Sequence, residues 1–79
     1  MTDSNGNILL EEKIKEERSS AALKAWQALS AYKFWMFGYH AGRWVNYNNL
    51  LKERDPNPFK DIVALARRKV DELDGQLKI

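Results

Sequence analysis

The run Asp55-Pro56-Asn57-Pro58 constrains this chain more than any other four residues. A residue before proline avoids the helical region of backbone space, and each proline lacks a backbone donor. Two prolines in alternate positions make a short stiff corner that a helix does not pass through. Asn57 suits a helix N-cap, and Pro58 suits the first helical position, where its missing N–H has no partner to lose.

Beyond the corner, Phe59, Val63, Ala66, Val70, Leu73 and Leu77 recur at spacings of 4, 3, 4, 3 and 4. This is a coiled-coil-like seam, widened by Ile62 and Leu65. Gly75 predicts the end of that helix, with residues 76–79 as a frayed tail. Arg67-Arg68-Lys69 is a basic triplet on the same helix and could touch phosphate. Asp71 and Glu72 stand four residues after Arg67 and Arg68, so pairing in place is expected to meet much of that charge.

Before the corner, residues 1–7 are polar and read as a flexible N-terminus, leaving 8–79 as a single helical domain. Asn7 is a fair N-cap for a helix opening at Ile8. Glu11 and Lys15 form an i,i+4 pair in the better order. Residues 22–33 then repeat alanine, large apolar, polar four times over. A period of three does not match 3.6, so Leu23, Trp26, Leu29 and Tyr32 wind round a helix, with Ala22, Ala25, Ala28 and Ala31 winding beside them. Such a helix meets different neighbours along its length, and the alanines let another helix come close.

Residues 34–47 are harder to place. If the helix continues, Phe34, Phe37, Ala41 and Trp44 share a side, while Gly38 and Gly42 make a small-residue pair on another. If it breaks, Gly38–Gly42 is a turn and residues 32–47 pair as a short hairpin. The LLKER run at 50–54 resumes a helical pattern.

Size decides what supports such a fold. A chain of 79 residues without cysteine has a thin core and no disulfide, and its single histidine makes a zinc site a poor fit. Self-association is the remaining support. The sequence therefore predicts an all-α helical hairpin or small bundle. Its first helix is long, from Ile8 into the thirties and extendable to Arg54. A C-terminal helix from about Pro58 folds back on it, in a homodimer. The alternative is α+β, with the 32–47 hairpin between helices.

Charge and rings narrow the function classes. No Asp or Glu lies between Glu17 and Glu53, and eight of the nine aromatic residues fall in that window. Segments that pack in a core lack acids for energetic reasons, so the window is not by itself an anion site. The net charge of +2 is too small to argue for nucleic acid. His40 has no second histidine, cysteine or carboxylate beside it, and only Ser30 and Tyr47 offer hydroxyls, so catalysis is not expected. Asn46, Asn48 and Asn49 are expected to cap or to bond loops. No phosphate loop, metal spacing or cofactor motif appears. The opening MTDSNGNILLEEK lacks the pattern of a signal peptide, and no charge-free run approaches the roughly 20 residues of a membrane span. A soluble, cytoplasmic protein is expected.

More rings are present than a thin core can hide, and Trp, Tyr and Arg are the residue types of interface hot spots. The expected function is a small non-enzymatic interaction module, binding another protein and a second copy of itself. Its contact residues are expected to be the exposed rings of 26–47 with Arg43, centred on Trp35, Tyr39, His40, Arg43, Trp44 and Tyr47. The alternative is a nucleic-acid binder using that window together with Arg67, Arg68 and Lys69. Attachment to a membrane surface ranks below both.

Overall fold

The computed structural model describes residues 4–77 and contains three helices: α1 (Ser4–Ser30), α2 (Phe34–Leu50) and α3 (Lys60–Leu77). Among the described residues there is no strand, and the stretch weighed as a hairpin lies almost entirely within α2. The first helix begins four residues earlier than expected, so Asn7 sits inside it rather than capping it. Of the expected flexible segment, residues 4–7 are helical and residues 1–3 lie outside the described residues.

The long first helix does not run on to Arg54. It stops at Ser30, in a three-residue turn built from backbone alone. Lys33 N–H donates to Ala28 O at 2.8 Å, and Tyr32 N–H donates to Leu29 O at 3.1 Å. This nested pair satisfies the last carbonyls of α1 and needs a left-handed residue between. Tyr32 supplies it at φ 60°. Glycine is the usual occupant, which is why the sequence shows no stop signal here.

The turn lays α2 antiparallel on α1. Ala21 and Ala25 are fully buried and Ala28 nearly so, at spacings of four and three on one strip of α1. The packed alanine row is thus 21-25-28, not the expected 22-25-28-31, and Ala31 is exposed. A strip of methyl groups lets Trp44 of α2 seat closely beside it. Trp44 is only 5% exposed.

Phe59 completes this core from the far side of the corner. Its ring meets Trp26 at 5.3 Å, Phe37 at 5.5 Å and Trp44 at 6.3 Å. The Phe37 and Trp44 contacts are edge-to-face, the arrangement the ring quadrupoles favour. Asn57 Oδ1 accepts Phe59 N–H at 2.8 Å in the turn that leads into the next helix, which opens at Lys60, two residues beyond the expected first position at Pro58.

The segment between α2 and the corner is not helical, contrary to the expectation for LLKER. Leu51 is extended (φ −94°, ψ 149°) and buried. Asn48 accounts for the break. Its Oδ1 accepts Asp55 N–H at 2.9 Å, and its Nδ2 donates to Asp55 O at 3.2 Å. Arg18 of α1 donates to the same Oδ1 at 2.7 Å and pairs with the Asp55 carboxylate at 2.9 Å. Arg18 and Asn48 are both buried. One polar node therefore ties α1, α2 and the connecting loop together, and each buried group has a partner.

The C-terminal helix does not fold back. Its backbone approaches neither α1 nor α2, and the chain measures 66 × 24 × 15 Å. A compact chain of this length has a radius of gyration of about 12 Å, whereas this one has 17.0 Å. Among the described residues Phe59, just before α3, and Ile62 in its first turn dock on the hairpin, and α3 projects as an arm. It continues through Gly75 to Leu77, so the expected stop does not occur; residues 78–79 lie outside the described residues.

Candidate interaction surface

On α2, residues four apart stand in one row along the helix. Trp35, Tyr39, Arg43 and Tyr47 form such a row; it starts on the exposed side of α2 and ends at Tyr47, which packs against the edge of the Trp44 core. Trp35 and Tyr39 stack almost parallel, 8° between planes with centroids 6.2 Å apart. The Arg43 guanidinium lies 5.9 Å from the Tyr39 ring and 5.5 Å from the Tyr47 ring, inside cation–π range. Tyr32 and Phe34 extend the band round the turn, edge to face at 6.1 Å.

These rings are open to water. Trp35 and Tyr32 are each 81% exposed, Phe34 63% and Tyr39 58%. Tyr47 and Arg43 are partly buried. Trp44, expected at the docking surface, belongs to the core instead. It falls four residues before Asn48, on the face turned toward α1, and Phe59 covers it. Of the other five expected contact residues, Trp35 and Tyr39 are exposed and His40, Arg43 and Tyr47 are partly buried beside them. Tyr32 and Phe34 join them, both exposed, although Phe34 is expected to share a side of the helix with the buried Trp44.

Electrostatics in the window differ from its composition. Arg43 pairs with Glu17 of α1 at 3.3 Å, so an acid from outside the window answers this cation. Arg43 also donates to His40 Nδ1 at 3.0 Å. His40 titrates below its ordinary value of 6.5, first through partial desolvation and then through the positive charges of Arg43 and Lys24. The neutral ring consequently carries its proton on Nε2. Ser30 Oγ donates to Gln27 O at 2.7 Å and does not serve His40. A cleft of about 370 Å³ beside His40 is lined by Lys24, Lys33, Gln27 and Met36, with neither a carboxylate nor a hydroxyl in its wall. Among the described residues the one side-chain hydrogen bond to His40 comes from Arg43.

The basic triplet stands apart. Arg67, Arg68 and Lys69 are exposed on the arm, away from the aromatic row. The expected Arg67–Asp71 and Arg68–Glu72 pairs are not formed among the described residues; Lys69 instead meets Glu72 at 3.8 Å. Likewise Lys15 pairs with Glu12 at 3.9 Å rather than with Glu11. Asn48 bonds the loop, as its polar cluster suggested. Among the described residues no helix is long and apolar enough to cross a membrane. The chain matches no protein-family model, no curated protein and no solved structure.

Proposed function

We propose that this chain is a non-enzymatic helical interaction module, an adaptor, inhibitor or structural accessory protein, that docks another protein on the aromatic band of α2. One observation carries the reading. Tyr32, Phe34, Trp35 and Tyr39 hold 58–81% of their surface in water, side by side on a short rigid hairpin. Exposed rings in a contiguous patch mark contact sites, and burying them on a partner releases free energy in proportion to the area covered. The stacked Trp35–Tyr39 pair limits the side-chain freedom lost on docking. Because Glu17 already neutralises Arg43, the band suits a protein surface better than a polyanion.

The module also pairs with a second copy of itself. Leu9, Leu10, Leu23, Val70 and Leu73 are each more than half exposed among the described residues.

The test is affinity capture from an extract of the source cells, comparing wild type with the Trp35→Ser/Tyr39→Ser double variant. Both positions are exposed, so helix content by circular dichroism is expected to be unchanged. The reading expects a specific protein held by wild type and lost by the variant. Equal capture of every protein by both baits refutes it. A salt-sensitive gel shift that depends on Arg67–Lys69 would move the function to nucleic acid.

A further inference from the structure

We infer that α3 is a dimerisation arm that lies antiparallel along α3 of a second copy, its tip filling the groove between α2 and α3 of that copy. This inference rests on the self-association proposed above and names the surface that performs it.

Two apolar features meet at the base of the arm. The first is the seam itself, with Val63 42%, Val70 58% and Leu73 56% exposed. The second is a groove of about 280 Å³, walled by Phe37, Gly42 and Val45 of α2 and by Phe59, Ile62 and Val63 at the start of the arm. The groove is open beside Gly42, where a built Cβ meets nothing within 4 Å, as at Gly38 and Gly75. Within the chain, therefore, no packing contact requires glycine in the middle of this helix. An incoming side chain gives the space a use.

Area shows why seam and groove must act together. An 18-residue helix is about 27 Å long and about 10 Å across, so its seam alone covers roughly 270 Å² on each copy. Specific interfaces start near 500 Å² a side. The seam falls short by itself, and the α2 wall of the groove supplies further surface.

The position of Phe59 sets the direction. It belongs to the seam, four residues before Val63, yet it is buried in its own hairpin. The hairpin therefore occupies the seam side at the base of the arm. A parallel partner would have to begin its own arm in that space. An antiparallel partner ends there instead. With the two-fold axis near Arg68, Val63 faces the partner's Leu73, and Ala66 faces the partner's Val70. The last turn of the partner's arm reaches the groove.

Charge gives this register a signature. Lys60 faces the partner's Asp74, twice per dimer. Arg67 and Lys69 each face their own counterparts at the axis. Those central cations are exposed, so salt screens their repulsion and the dimer tightens as ionic strength rises. A parallel pair would set Lys69 beside the partner's Asp74 with no like pair opposing it, and would loosen with salt.

The test uses the intact chain in sedimentation equilibrium. Wild type is expected to dimerise at micromolar concentration, more tightly in high salt. Gly42→Gln fills the groove with a better helix former, so it should keep or raise helix content while abolishing the dimer. Asp74→Lys should weaken it about fivefold, and adding Lys60→Glu should restore it. Since the chain has no cysteine, a mixture of Val63→Cys and Leu73→Cys chains should crosslink to each other under oxidation, whereas Val63→Cys alone should not. Unimpaired dimerisation of Gly42→Gln, or ready crosslinking of Val63→Cys alone, overturns the geometry while leaving self-association intact. A monomer at every concentration overturns both. Neither result touches the aromatic band, which the capture experiment tests separately.

Discussion

Replacing Arg18 with Met removes the buried charge that joins both helices of the hairpin to the loop. The cost can be worked from its contacts. The guanidinium donates to the buried Asn48 Oδ1 at 2.7 Å. A bond from a charged donor in such a setting contributes about 1.5–3 kcal/mol. The second contact, to Asp55 at 2.9 Å, contributes less: the Asp55 side chain is 62% exposed, and solvent reduces such a pair to about 0–1 kcal/mol. Two effects oppose these. Met keeps the apolar stem packed and desolvates no charge. Asn48 Oδ1 also retains the Asp55 N–H at 2.9 Å, so it is not left orphaned. The net expectation is a loss of about 2 kcal/mol. At about 0.05–0.15 kcal/mol per residue this fold has roughly 4–12 kcal/mol in all, so the loss lowers Tm by about 8–16 °C. Urea and thermal unfolding followed by circular dichroism measure it, with Asp55→Asn as the companion, expected to cost under about 1 kcal/mol. Arg18→Met within about 0.5 kcal/mol of wild type would refute the reasoning, as would an Asp55→Asn loss as large as that of Arg18→Met.

Three further outcomes follow from other parts of the fold. Tyr32→Gly should stabilise the chain by about 1 kcal/mol, because the left-handed backbone at φ 60° strains any side chain and little of the Tyr32 ring is buried; a fall in the urea midpoint would contradict this. Phe59→Ala should cost about 3–5 kcal/mol, since it strips three ring contacts from a thin core, and unfolding should lose its cooperativity or shift far down in temperature. His40 has a depressed folded pKa, so below 6.5 the unfolded chain binds more protons than the folded one. Stability from this group is fully present above pH 6.5 and declines as pH falls through that value toward the folded pKa. Tm measured between pH 5 and 8 should show a shallow decline on the acid side, which His40→Gln should flatten.

Much of the helical content was legible because it rests on period and punctuation. The 4-3-4-3 seam and the Asn57-Pro58 pair mark α3 from residues near in sequence. What escaped the sequence depends on contacts between distant residues or on backbone without a signal residue. The turn at 31–33 uses tyrosine where glycine is customary, so the first helix reads as continuous. Gly38 and Gly42 sit inside α2, as the all-α reading has them, and not in the turn of the alternative hairpin. The Arg18–Asn48–Asp55 node joins residues up to 37 positions apart, and an arginine in a charge-rich run resembles a solvated one. Trp44 and Trp35 are alike in composition, and only the packing of α1 and Phe59 separates the core ring from the exposed one. The stiff corner at Asp55–Pro58 marks a change of direction but does not fix its angle, so the expected folding back of α3 does not occur.

That uncovered arm also bears on how long the chain survives. A helix of this length without tertiary support is near its own coil transition, so its amides open at little cost. Those of α1 and α2 open only when the hairpin does. In a lone copy, hydrogen exchange should run fast from Ile62 to Leu73, and trypsin should cut at Arg67, Arg68 and Lys69 well before the hairpin yields. Covering the seam should slow both together. Turnover would then fall hardest on copies whose arm is bare, and proteolysis itself would report how many chains are engaged.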